Sequence, residues 1–469
     1  MENNVSVNVN LDLEHENLLE QWSGLLEQKQ FRALKNELAE ANEVDVAEFV
    51  TALEEEKTML LVYRLLPKEM ASDVFANLEP EAQGAIISSI TDKEVAELVD
   101  DLYLDDAVDM LEELPASVVK RVLKTAKPDT RQLINQFLNY PENSVGSIMT
   151  AEFVDLKKDM TVKEAIAAVR SHSEESEAIY TCYVTDARRV LEGAVTLREL
   201  LVARDDQKVE ELMSTDIVAA TTTEDQEEAV GRIMKYDFIS LPVVDQEGRL
   251  VGVVTVDDIM DVMEEEATED IEKMAAITPT DKPYLKMTTL EIWKSRIPWL
   301  MLLMISATFT GMIIASFESA LAKWVALTAF IPMLMDTGGN TGSQASVTVI
   351  RALSIGDLEF SDVFRVLWKE FRVSILCALS LGAVSFVKIL LVDMMLMGNP
   401  GITLPIALVV CLTLALTVVC AKLVGCSLPM LAKKLGFDPA VMASPFITTI
   451  VDALSLLIYF QFANLLLGL

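Results

Sequence analysis

Ser444, Thr448, Asp452 and Ser455 recur at intervals of 4, 4 and 3 residues. On a helix that spacing gathers them into one polar stripe. The surrounding stretch, Pro439–Leu466, is apolar and holds no Lys or Arg. A carboxylate in the middle of a membrane span costs about 2.5–3.5 kcal/mol on insertion scales, and such residues usually line an ion path. Asp452 is thus a candidate ion ligand. The plainer reading is a protonated or locally hydrogen-bonded structural Asp. Asp438, just before Pro439, is either a helix N-cap or a mouth ligand for the same ion. A second polar run, Asp336-Thr-Gly338-Gly339-Asn340-Thr341-Gly342-Ser343-Gln344, falls inside another apolar stretch. Its glycines, with Pro332, weaken a helix, and freed backbone groups in a membrane need water or protein partners. Close packing explains the glycines. It does not explain Asp336, Asn340 and Gln344, so a water-lined segment is expected there.

Composition narrows the ion. The five Cys form no CxxC pair and the only histidines are His15 and His172. Zinc-type sites are excluded on that basis, which leaves a hard cation held by oxygen. The net charge of −34 is uneven: residues 1–290 hold 62 Asp+Glu and 27 Lys+Arg, residues 291–469 hold 10 and 11. Such a polyanion argues against nucleic acid, which needs basic patches. It favours cationic partners, or serves solubility alone.

The elements that must position these groups follow from hydropathy. Five apolar runs reach membrane scale: Ile297–Phe317, Trp324–Ile350, Phe371–Met395, Ile402–Leu428 and Pro439–Leu466. About 20 residues are needed to span. Lys294 and Arg296 precede the first, Arg351, Arg365, Lys369 and Arg372 flank the second-to-third connection, and Lys433 and Lys434 precede the fifth. The positive-inside rule puts the N-terminus inside and the C-terminus outside. No cleavable signal peptide is expected from Met1–Asn10. Residues 16–140 read as short amphipathic helices punctuated by Leu66-Pro67, Glu79-Pro80 and Leu114-Pro115, since proline suits a helix start.

Residues 145–270 contain an internal repeat. Val145-Gly-Ser-Ile-Met149-Thr150 matches Val209-Glu-Glu-Leu-Met213-Ser214, and Leu191-Glu-Gly193-Ala-Val195-Thr196 matches Leu250-Val-Gly252-Val-Val254-Thr255. The pattern resembles a tandem pair of CBS modules, α/β and regulatory. Thr255 and Asp258 fit the T-x-x-D element with which such modules hold a nucleotide, or a plain strand end. Acidic residues crowd three places. Asp105 and Asp109 lie four apart, Glu224–Glu228 open a helix with Asp237 beyond, and Asp258, Asp261, Glu265 or Glu266, and Glu269 share one helix face. Like charges at these spacings repel unless a cation intervenes. The segment Ile271–Glu291 joins that face to the first span.

The whole order is similar to the MgtE family of magnesium channels. The resemblance rests on Gly338–Gln344, on Asp438-Pro-Ala with Ser444-Pro445 and Asp452, and on Val256-Asp-Asp-Ile-Met-Asp261 through Glu269-Asp270. It implies an acidic all-α N domain (1–140), an α/β tandem CBS pair (141–270), a connecting plug helix (271–291) and an all-α five-helix transmembrane domain (292–469). It further implies a homodimer in a bacterial-type plasma membrane, with Asp452 as main pore ligand and Asp438 contributing; Asp336, Asn340, Ser444 and Thr448, read from their polar runs within apolar stretches, are expected to line the path. Cytosolic Mg²⁺ sites are implied at Asp225, Glu227, Asp237, Asp258, Asp261, Glu266, Glu269 and Asp270, with Asp105 and Asp109 in the N domain. ATP at the CBS pair occurs within the family. The chain departs from it at Ser444, where some relatives carry Asn, and at Asp336, where a small residue is common. The expected function is Mg²⁺ uptake through a channel shut by cytosolic Mg²⁺. The alternative is a nucleotide-regulated transporter of another divalent cation such as Mn²⁺ or Co²⁺. No nucleophile–base pair, Walker motif or histidine cluster suggests an enzyme.

Overall fold

Proline and short polar caps cut the first 140 residues into brief helices, from α1 (Leu11–Glu27) to α10 (Pro128–Phe137). The Leu-Pro punctuation works as expected. Pro80 opens α6 (Pro80–Ser89), while Pro67 and Pro115 are the N-caps of α5 (Lys68–Ala76) and α9 (Ala116–Thr125). Proline is tolerated there because its missing N–H would have no intrahelical partner. The computed structural model describes residues 11–53, 55–172, 176, 178–280, 282, 284–399, 401–442 and 444–468. The chain divides into two units, Met1–Met260 and Asp261–Leu469.

Within the first unit the repeat becomes two three-stranded sheets of one topology. Strand β2 (Ala178–Thr185) pairs parallel with β1 (Phe153–Leu156) and antiparallel with β3 (Leu191–Thr196). Likewise β5 (Ser240–Val244) pairs parallel with β4 (Ala220–Thr221) and antiparallel with β6 (Leu250–Thr255). The repeats exchange their leading segments. Thr150 of the first bridges to Val253 on β6, and Ser214 of the second bridges to Ala194 on β3. Two matched glycines make room for the exchange. A Cβ on Gly252 would stand 2.6 Å from Met149 Sδ, and one on Gly193 would stand 2.6 Å from Met213 Sδ. Helices α11 (Val162–His172), α12 (Leu197–Val202) and α13 (Gln226–Tyr236) complete the pair. One continuous core joins the N-terminal helices to the second repeat, through residues such as Phe137, Val145, Met149, Ile233 and Val254.

The connecting helix does not form over 271–291. Instead α14 (Val256–Met274) runs straight out of β6 and carries the acidic run itself. It ends in a Schellman arrangement, with Ala276 at φ 55° and Ile277 N–H donating to Glu272 O at 2.9 Å. The next helix, α15 (Thr289–Ser316), restarts with a Thr288–Glu291 capping box.

The second unit is built on long helices: α15, α17 (Ile331–Ser354), α18 (Val363–Lys388), α19 (Leu404–Lys434) and α20 (Ser444–Leu467), with the short α16 (Glu318–Lys323) between α15 and α17. Among the described residues, four segments are long and apolar enough to cross a membrane: Thr289–Ser316, Phe360–Leu396, Leu404–Lys434 and Pro439–Leu467. The fifth helix, α17, is long enough at 24 residues, roughly 36 Å at 1.5 Å per residue. Its polar residues keep it off that group.

The expected interruption of α17 is absent, for helix persists through Gly338, Gly339 and Gly342. The glycines serve close approach instead. A Cβ on Gly338 would meet Thr417 Cγ2 at 2.8 Å and Ser455 Oγ at 2.9 Å, and one on Gly339 would meet Thr448 Cγ2 at 2.9 Å. Gly425 of α19 lies directly against the Gly342 carbonyl. Asp336, Asn340 and Gln344, spaced by four, occupy a different and exposed face. Packing and polarity therefore divide one helix between them, as small-residue seams in membrane bundles allow. Gly425→Ala should drive Cβ into the Gly342 backbone and lower the Tm of the detergent-solubilised protein or abolish its monodisperse gel-filtration peak. Gly382→Ala, with nothing within 4 Å, should leave both unchanged.

Candidate functional site

Asp452 sits half-buried on α20 and within electrostatic reach of Asp336 on α17. The two carboxylates come from unlike helices, α17 rich in polar residues and α20 apolar apart from its stripe. Thr448 is half-buried one turn before Asp452 and donates to Pro445 O at 2.9 Å. Ser455 is fully buried and donates to Val451 O at 2.6 Å. The stripe is thus shared: Ser455 and Thr448 pack against the glycines of α17, while Asp452 is not among the atoms nearest those glycines. The Ser444 side chain lies outside the described residues. Asn340 is exposed on the same helix as Asp336.

Asp438 takes the N-cap role read from the sequence and also meets a lysine. Its Oδ1 accepts from Ala440 N–H at 2.7 Å, which is the N-cap. Its Oδ2 lies 2.7 Å from Lys273 Nζ at the end of α14, and the same ammonium lies 2.6 Å from Glu269. Burial opposes the Lys273 charge, but the hydrogen bonds to Asp438 and Glu269 outweigh it and hold its pKa above the usual range. Asp270 accepts from Ser354 Oγ at 2.7 Å. Burial pushes its carboxyl up despite that bond, with the Asp438 charge adding to the rise. Met274 packs against Ile350 and Ala440. The end of α14 is therefore fastened to the C-terminal end of α17 by the Asp270–Ser354 bond and to the turn before α20 by the Lys273–Asp438 pair.

The acids of the first unit are arranged less simply. Asp225 is the N-cap of α13, accepting from Glu227 N–H at 2.9 Å, whereas Asp237 is its left-handed C-terminal residue at φ 54°. Eleven residues separate them, roughly 16 Å along the axis. One ion cannot take both. Thr255 Oγ1 and N–H both bond to Asp258 Oδ2, which caps α14 as the Thr196–Glu199 box caps α12. On α8 (Leu104–Glu113), Asp105 is buried and Asp109 exposed, so the pair does not share one environment. Asp261 is exposed, and Glu266 half-buried. Among the described residues no three carboxylate, histidine or cysteine groups close into a metal-ligating set.

Asp106 shares a crowded turn of sequence with Asp105 and Asp109, but sequence did not mark it as a site residue. Burial, then the charges of Asp258, Asp73, Glu152 and Asp257, push its carboxyl up to about 6. N-terminal helices and the two-sheet repeat thus bring the charges of four acids to bear on one half-buried carboxylate. Only tertiary contact could reveal it, since Asp258 is far away in sequence.

A family model described as a divalent cation transporter, MgtE, matches residues 331–462. The MgtE intracellular N domain matches 41–143, and CBS domains match 145–206 and 209–265. A magnesium transporter MgtE of Thermus thermophilus is 38% identical over 94% of this chain and 97% of its own length. The chain belongs to the MgtE family. The Bacillus subtilis magnesium transporter MgtE is 34% identical over 94% of the chain and 95% of its own length. Among solved structures, the soluble part of a magnesium transporter matches with a TM-score of 0.51 at 28% identity, covering 54% of the chain and 99% of that structure.

Asp106 gives this MgtE-family chain a pH signature. Its folded pKa exceeds that of an exposed carboxyl, so the native state binds the proton more tightly than the unfolded chain. Stability of the first unit should rise as pH falls from above 6 toward 4, by up to about 3 kcal/mol. Thermal melts of the full chain at low divalent cation should show this gain, and Asp106→Asn should flatten it.

Proposed function

We propose that this chain conducts Mg²⁺ across the plasma membrane as a homodimer and is closed by Mg²⁺ on its cytoplasmic side. The observation that carries the reading is Asp452, half-buried on an apolar helix that holds no base and facing the charge of Asp336. A membrane protein has little reason to set two acids together at that depth unless a cation passes between them. Mg²⁺ sheds its water shell reluctantly. One such carboxylate per protomer, doubled by symmetry, suits a hydrated ion held through its waters. Asp452→Ala should abolish Mg²⁺ flux into liposomes while leaving gel filtration unchanged. Flux equal to the parent would remove Asp452 from the path. The same assay over Mg²⁺, Mn²⁺ and Co²⁺ decides between the Mg²⁺ reading and its divalent-cation alternative.

Gating rests on the acids. At low Mg²⁺ the carboxylates around Asp106 repel and the cytoplasmic domains loosen. At high Mg²⁺ a shared cation relieves them, and α14, fastened through Lys273 and Asp270, holds the mouth near Asp438 closed. Mg²⁺ must then bind the closed state better than the open one. ATP at the CBS pair is a second ligand in this scheme, and it would have to draw Thr255 and Asp258 out of their mutual bond. Limited proteolysis of the full chain should show protection of the cytoplasmic half that grows with Mg²⁺, with ATP shifting its midpoint. Cleavage indifferent to Mg²⁺ would sink the gating scheme.

A further inference from the structure

Away from the glycine seam, α17 presents polar groups to a cavity of about 500 Å³. Asp336, Asn340 and Gln344 line it from α17, Cys377 and Ser380 from α18, and Lys422 from α19. Lys422 is only 7% exposed, although it lies well inside an apolar helix. Its Nζ stands 3.2 Å from Glu370 Oε2 on α18. Glu370 itself is not among the lining residues. The lining therefore carries one carboxylate and one ammonium, with a second carboxylate held behind the ammonium. Charges at membrane depth are costly and mark ion pathways. A cavity kept for packing would be apolar.

We propose that this cavity is an intramembrane resting site for a hydrated divalent cation, and that Lys422 sets its affinity by holding Glu370 away from the ion. The volume suits the cargo, since six waters at about 30 Å³ each fill less than half of it. Asn340, Gln344 and Ser380 offer the amide and hydroxyl groups that a water shell can bond. Conduction needs a site attractive enough to enter and weak enough to leave. Asp336 alone meets that need, whereas Asp336 with a freed Glu370 would trap a divalent ion. Lys422 is thus a specificity-determining residue that acts through Glu370. The inference rests on the reading that the polar face of α17 belongs to the conduction path.

Cys377 reports on the cavity directly. In full-length chain with Cys182, Cys411, Cys420 and Cys426 replaced by Ala, reconstituted in liposomes, a small cationic methanethiosulfonate should modify Cys377. Mg²⁺ should slow that reaction. Asp336→Asn should raise the half-protecting Mg²⁺ concentration about tenfold or more, and Lys422→Met should lower it about tenfold, as expected for removing or adding one neighbouring charge at low dielectric. Lys422→Met/Glu370→Gln should return it toward the parent value. Glu370→Gln, which leaves the ammonium unpaired, should raise it, and this variant decides the matter if Lys422→Met does not fold. The proposal fails if Mg²⁺ leaves the Cys377 rate unchanged, or if the folded Lys422 and Glu370 variants protect at the parent concentration. The pore reading is judged separately. Protected Cys377 with normal flux in Asp452→Ala sinks that reading only, and unprotected Cys377 with flux lost in Asp452→Ala sinks the cavity only.

Discussion

The close approach of α17 to α19 and α20 is the constraint on which the second unit depends. A helix bearing Asp336, Asn340 and Gln344 is too polar to stand in lipid by itself. It can be held there only if its remaining surface binds neighbours tightly enough. Lipid offers no hydrophobic advantage to helix association, so the binding must come from dispersion at short range and from backbone proximity. Gly338, Gly339, Gly342 and Gly425 supply that proximity. The polar face follows from the glycine face, because neither is stable in the membrane without the other.

The first unit meets a different difficulty. Its acids far outnumber its bases, and the fold draws some of them toward each other instead of spreading them. Arg232 neutralises Glu224, and Lys273 links Glu269 with Asp438, yet Asp106 is surrounded by carboxylates. Repulsion stored in this way is relieved when Asp106 takes up a proton.

Much of this was legible in sequence. The repeat matched Met149 to Met213 and Gly193 to Gly252, and the fold uses those four residues in the exchange of leading segments. Proline positions foretold where the N-terminal helices start. The span pattern was right for four helices because long apolar runs have no other stable home. Two readings failed for identifiable reasons. Glycine and proline propensities predicted a broken α17, but neighbouring backbones at contact distance outweighed them. The family resemblance implied a connecting helix over 271–291, whereas the helix had already begun at Val256, since Thr255 and Asp258 cap it there.

Sequence by itself determined the family, the order of domains, the oxygen-rich chemistry and the presence of an acid on the last apolar helix. These follow from local patterns and from the solvent each segment requires. Only the tertiary structure decided which acids meet. Asp225 and Asp237 look like neighbours in a cluster but cap opposite ends of one helix, while Asp106 and Asp258 come from separate domains and repel each other. It also placed Lys422 before Glu370 and Lys273 between Glu269 and Asp438. Charge interactions depend on distance through space, and residue spacing fixes that distance only within a single helix or strand.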